Sequence, residues 1–235
     1  KDSLGSDISA GLEILHIDPW KASLTVQDGI YNSLKLIEFC LKKSENILFE
    51  VGTEEAIFPY NPKDLEHILT ELQTALGNDF DRITHCVIQS GVKISGLQNV
   101  GNFDSLRLSE MVKVAHGSGL LSKEHNGDYL SKQDYKHRFD LGLDSINIAP
   151  EFGQIETLCY LEEMKDDIED YYQICYESKR WVKWVDKRFI PENNKKELIK
   201  ICGHYVFSDD KFLDIKPNID SEIKKTIKDK LSLLV

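Results

Sequence analysis

Short apolar runs alternate with longer stretches of helical periodicity along most of the chain. Residues 12–17 (Leu-Glu-Ile-Leu-His-Ile) read as a strand closed by Asp18-Pro19. Between 26 and 43, Ile30, Leu34, Leu36, Ile37 and Leu41 recur near helical spacing and predict a helix. Residues 47–51 predict a second strand. Residues 62–76 predict a helix with Leu65, Ile68, Leu69, Leu72 and Leu76 on one stripe. A third strand is expected at 83–89, a helix at 105–115 and a weaker strand at 119–123. Ser131 caps a helix that runs to Leu141 and stops at Gly142. A fifth strand at 145–149 leads into one long helix at 152–176.

Five successive strand–helix units indicate a parallel sheet with helical crossovers. An open sheet and a closed barrel both give this rhythm. Each strand ends in a polar or ionisable residue: Asp18, Glu50, Gln89, His125 and Asn147. A barrel gathers such ends at one mouth. The expected fold is therefore α/β, a TIM (β/α)8 barrel whose N-terminal units lie outside this chain. The barrel portion is expected at 1–177. A C-terminal helical extension follows at 178–235, with Trp181, Trp184, a break at Pro191 and helices at 192–202 and 221–234. The acidic run at 162–170 reads as a solvated helix face.

Of the 235 residues, 41% are hydrophobic and 29% charged, a globular rather than a disordered balance. The formal net charge of −11 argues against nucleic acid or an anionic membrane surface as partner. A single anionic group can still be held locally by helix N-termini and backbone amides. No run approaches the length of a membrane-spanning helix. No basic-then-apolar start suggests a signal peptide, so a cytoplasmic location is expected. Cys40, Cys86, Cys159, Cys175 and Cys202 are scattered in apolar contexts without a CxxC pair, as in reduced core thiols.

Candidate chemistry concentrates where strands end. Alternation puts His16 and Asp18 on one side of the first strand. There Asp18 serves as a general base or metal ligand, or else caps the next loop while His16 sits in the core. Glu50, embedded in Leu-Phe-Glu-Val, needs a cation, a metal or a ligand hydroxyl beside it to be buried. Glu54 and Glu55 read as exposed acids of a turn. Gln89, Ser90 and Gly91 form a small turn able to hold phosphate. His125, Asn126 and Asp128 crowd a Gly-containing loop that is poor core material. Asn147, before the Pro150-Glu151 helix start, can bond a sugar hydroxyl or phosphate.

Four stretches resemble, in order, motifs of the tagatose-bisphosphate aldolase non-catalytic subunit family. They are His16-Ile17-Asp18, Phe49 to Glu54, Val87 to Val92 and Glu124 to Tyr129. More distantly, the chain is similar to zinc-dependent class II ketose-bisphosphate aldolases. By that likeness Asp18 falls at the catalytic-acid position, His125 at one metal-histidine position and Asn147 near the phosphate site. The histidine that follows the acid in those enzymes is Pro19 here, and no histidine follows Gly91, so their three-histidine zinc site is not reproduced.

The resemblance implies retro-aldol or isomerase chemistry on a phosphorylated ketose, with Asp18, His125 and Glu50 as catalytic residues. Gln89, Ser90, Gly91, Asn126, Asp128 and Asn147 would bind substrate and its phosphate. Asp18, Glu50, Gln89 and His125 would form a substitute site for a divalent Zn, Mg or Mn ion. The other reading is a non-catalytic subunit that stabilises or regulates a catalytic aldolase subunit, or a homo-oligomer.

Overall fold

A computed structural model describes residues 2–165 and 167–232. The chain divides into two compact units. The first comprises 1–93, 101–127 and 136–147, and the second 94–100, 128–135 and 148–235. Residue 178, where the helical extension was expected to begin, falls inside the second unit.

In the first unit, α1 (Asp2–Ser9) precedes β1 (Ile14–Ile17), α2 (Val26–Leu41), β2 (Leu48–Val51), α3 (Pro62–Leu76) and β3 (Ile83–Ile88). A short hairpin of β4 (Ile94–Ser95) and β5 (Gln98–Asn99) belongs to the second unit. The first unit resumes with α4 (Ser105–Gly117) and β6 (Leu121–Glu124); after α5 (Lys132–Asp140) comes β7 (Ser145–Ile146). The five strands β1, β2, β3, β6 and β7 form one sheet in that order, and every pairing is parallel. The fold class is thus α/β with a parallel sheet, as expected. Among the described residues the sheet has these five strands and does not close into a ring of eight.

Local sequence explains where the helices begin. Thr25 and Asp28 form a reciprocal capping box at α2, and Asn61 and Asp64 form another at α3, where Pro62 takes the first helical position. Asp104 accepts backbone N–H bonds from Leu106 and Arg107 at the start of α4. Buried stripes follow at helical spacing: Ile30, Ile37 and Cys40 on α2, Leu65, Ile68, Leu69 and Leu72 on α3, and Leu108, Met111, Val112 and Ala115 on α4. They share one core with Leu15, Ile17, Phe49, Val51, Cys86 and Ile88 of the strands. Each fully buried Leu, Ile, Val, Phe or Met among them contributes roughly 1.5–3 kcal/mol through burial. Alternation then turns His16, Glu50, His85 and Lys123 to the opposite face of the sheet.

The second unit carries α6 (Pro150–Met164), α7 (Glu169–Ser178), α8 (Lys195–Cys202), α9 (Asp210–Ile215) and α10 (Asp220–Leu231). Its core joins Tyr160, Tyr171, Ile174, Cys175, Leu198, Ile199, Cys202, Phe212 and Ile223. The single helix expected at 152–176 is two helices. Lys165, at φ +57°, ends α6, and its N–H bonds Leu161 O. Glu169 and Asp170 then begin α7 as first-turn acids. Residues 162–165 and 167–170 of the acidic run thus flank a helix break rather than forming one continuous face; residue 166 lies outside the described residues. α10 ends at Leu231, and residues 233–234 of the helix expected at 221–234 lie outside the described residues. All five cysteines are free; four are buried and Cys159 is half-buried. Among the described residues no helix is long and apolar enough to cross a membrane.

Candidate functional site

The register of β1, β2 and β3 pairs His16 with Glu50 and Glu50 with His85. On β6, alternation turns Lys123 to the same face; His125, one residue past the strand, follows at the same spacing. Glu50 is the hub. Its Oε1 accepts from His125 Nε2 at 2.5 Å and lies 3.9 Å from His16 Nε2, and its Oε2 accepts from Lys123 Nζ at 2.5 Å. The Glu50 side chain is only 5% exposed, that of His125 9%, Lys123 21% and His16 32%.

The electrostatics follow from this packing. Burial pushes the Glu50 carboxyl up, but the hydrogen bonds from His125 and Lys123 and the nearby imidazoles outweigh it and hold it at about 2. Burial pulls the His125 imidazole down. Hydrogen bonds and charge from Glu50 and Glu54 overcome that and raise it to about 9. Glu54 is lowered, chiefly by its hydrogen bond with His125. His16 moves the other way: burial lowers it despite the charges of Glu50 and Asp18. Its neutral ring stands edge-on to His125, with centroids 4.9 Å apart, and its Nε2–H donates to Gly52 O at 3.0 Å. Asp18 is half-buried. Its Oδ2 accepts from Thr53 Oγ1 at 3.0 Å and its Oδ1 from Trp20 N at 3.3 Å, which fixes the carboxylate at the end of β1.

The other expected site residues divide. Gln89 is fully committed to structure. Its Nε2 donates to Thr53 O and Phe58 O, and its Oε1 accepts from Tyr60 N and Arg107 Nη2, pinning the loop at 53–60. Of the four residues expected to hold a metal, only Glu50 and His125 lie in the one cluster of ligand atoms found among the described residues, together with His16; Asp18 and Gln89 are outside it. Ser90 Oγ donates to Glu124, which pairs through Nε of Arg138 at 2.7 Å on the helix-facing side of the sheet. Arg138 in turn lies over the Phe103 ring. Gly91, at φ +89°, lies so close to the Asn102 carbonyl that a Cβ would collide with it. Asn126, at φ +59°, bonds Glu54 through its side chain. Asn147 ties the end of β7 to β6: its N–H donates to Glu124 O, and its carbonyl accepts from Gly127 N.

Asp128 belongs to the second unit. There its buried carboxylate accepts N–H bonds from Ala149 at 2.9 Å and Glu151 at 2.8 Å, where α6 begins. It supplies an anion to that helix start instead of holding one. Sequence reasoning missed Lys123, because a lysine in a strand reads as solvated. Its position two residues before His125 is the signal that places it on the same face.

His16, Glu50 and His125 offer ligand atoms all within 4.8 Å of one another. Two imidazoles and a carboxylate suit a Zn²⁺ or Mn²⁺ ion. Ligation would take the His125 proton and turn the His16 nitrogen from the Gly52 carbonyl. The donor set fits a divalent cation.

No protein-family model matches the sequence, and no curated protein matches it. Solved structures do resemble its fold. A probable tagatose 6 phosphate kinase from Sinorhizobium meliloti 1021 aligns at TM-score 0.67 and 14% identity, over 96% of this chain and 62% of that one. The fructuronate-tagaturonate epimerase UxaE from Cohnella laeviribosi aligns at TM-score 0.61 and 11% identity, over 98% of this chain and 62% of that one. The YdjI aldolase from Escherichia coli K12 aligns at TM-score 0.51 and 14% identity, over 70% of this chain and 54% of that one. The chain thus spans less than two thirds of each of these structures.

Proposed function

We propose that the protein is an aldolase-like lyase or isomerase of carbohydrate metabolism that acts on a phosphorylated ketose in the cytoplasm. The observation that carries this reading is the meeting of His16, Glu50 and His125, with Asp18 beside them, where parallel strands end. The names of the structurally similar proteins, a tagatose phosphate kinase, a keturonate epimerase and an aldolase, support the same substrate range.

His16, Glu50 and His125 would hold a divalent cation, which when bound supplies Lewis-acid polarisation of a ketose carbonyl. Asp18, fixed by Thr53, accepts the proton of the substrate hydroxyl whose loss starts carbon–carbon cleavage, and returns it in the reverse direction. Glu54 and Asn126 line a small pocket with His125 and would orient hydroxyls there. The Gly91 amide and the Asn147 side chain are the remaining candidates for the phosphate.

The test joins metal analysis of the purified protein to calorimetric titration with fructose and tagatose bisphosphates and an assay for triose phosphate release. Asp18→Asn and His125→Ala should remove turnover by a factor of about 100 or more with the circular dichroism spectrum unchanged. A protein without metal, binding or cleavage removes this reading. One observation favours the second reading, a stabilising subunit of a catalytic aldolase: Lys123 already neutralises Glu50. That reading predicts sugar-phosphate binding or partner binding with no turnover.

A further inference from the structure

Glu50 divides its two oxygens between different cations. Oε1 faces both imidazoles, while Oε2 holds the Lys123 ammonium at 2.5 Å. Lys123 sits on β6 opposite Val87 of β3, so its stem crosses β3 to reach a carboxylate on β2. Its charge is felt at His85 on that intervening strand, where burial first and Lys123 second depress the imidazole. The ammonium is thus held over the sheet face opposite the apolar core at only 21% exposure, against a carboxylate at 5%. A divalent ion on Oε1 would stand a few ångströms from this ammonium. At an effective dielectric constant of about 20, repulsion between +2 and +1 at that separation exceeds what one shared carboxylate returns to the lysine.

We propose that Lys123 is a built-in competitor for the divalent cation: it occupies Glu50 in the metal-free protein and must leave Glu50 for the ion to bind. The proposal rests on reading His16, Glu50 and His125 as the metal site. It makes Lys123 a positioning residue. It holds the buried carboxylate in place and neutralised while the site is empty, and it sets the affinity at which the site fills. Release of Lys123 and entry of the ion are then one event. The freed ammonium stays on the same sheet face, available to an anionic substrate group that Gln89 and Ser90, already engaged, do not serve.

Mn²⁺ affinity is measured at neutral pH by electron paramagnetic resonance on the full chain, with thermal melting of each metal-free variant as a folding check. Lys123→Met keeps the length of the side chain and removes its charge; it should bind Mn²⁺ at least about tenfold more tightly than wild type, since the competitor is gone. Lys123→Arg keeps the charge and should stay within about twofold of wild type, so that tighter binding follows only from loss of the charge. Unchanged or weaker Mn²⁺ binding in a folded Lys123→Met overturns the competition. Should Lys123→Met melt far below wild type, Lys123→Gln replaces it under the same criterion. If no form binds Mn²⁺, including Lys123→Met, then the metal site itself is wrong and the competition falls with it.

Discussion

The Glu50–His125 pair makes the stability of the metal-free protein depend on pH with a definite sign. His125 is raised from its ordinary value near 6.5 to about 9 by Glu50 and Glu54, against the pull of burial. A histidine that holds its proton more tightly when folded stabilises the fold fully below the unfolded value, near 6.5. That stabilisation is lost as the pH rises through about 9. Holding the proton from about 6.5 up to about 9 corresponds to roughly 3–3.5 kcal/mol. The side chain is 9% exposed, so solvent screening removes little of it. Glu50, lowered to about 2 against burial by His125 and Lys123, includes the same His125 pair seen from its other end. Its share is present above the ordinary carboxylate range and is lost only as the pH falls toward 2. The Glu50–His125 part common to both counts once. Urea unfolding in the presence of a chelator, at steps from about pH 6 to about pH 10, should show stability falling by about 3 kcal/mol, mostly between 6.5 and 9. Glu50→Gln should remove most of that slope and leave the part owed to Glu54. A flat profile across this range, or an equal slope in Glu50→Gln, refutes the assignment of a buried imidazolium.

Other outcomes test the frame around the site. Arg138→Met leaves Glu124, 1% exposed, without its cation, and should cost about 3–5 kcal/mol in denaturant unfolding; a loss under about 1 kcal/mol would show that the pair is not closed. Gly91→Ala meets both a backbone at φ +89° and the Asn102 carbonyl, so the melting temperature should drop with a loss of about 2 kcal/mol or more. A neutral result would mean that the loop at 91–102 sits further from Gly91. Asp18→Asn should leave stability within about 0.5–1 kcal/mol of wild type, because Thr53 can still bond the amide oxygen; under the proposed chemistry it still loses turnover.

The strands and the long helices were legible because their physics is local. Apolar runs of strand length, capping residues such as Thr25 and Asn61, and stripes such as Leu65–Leu72 each act over a few residues. The break between α6 and α7 was not, since residues 152–176 keep helical spacing throughout and the positive φ at Lys165 leaves no apolar signature. The site was legible in outline. Glu50 in an apolar run demanded a cation, and it has two. His16 could sit in the core or the site; only the register that pairs it with Glu50 decides. Gln89 and Asp128 looked like ligand binders because their polarity is visible in sequence, whereas the backbone groups that absorb it, in the loop at 53–60 and at the start of α6, are not.

The central claim is that His16, Glu50 and His125 form one divalent-metal site at the strand ends. Anomalous diffraction at the cobalt edge, from crystals grown with Co²⁺, tests it most directly. One strong peak is expected within ligand distance of His16, Glu50 and His125, about 2–2.3 Å from each donor, with Lys123 moved off Glu50. A map with no peak there, with the Lys123–Glu50 pair intact at the same Co²⁺ concentration, would contradict it.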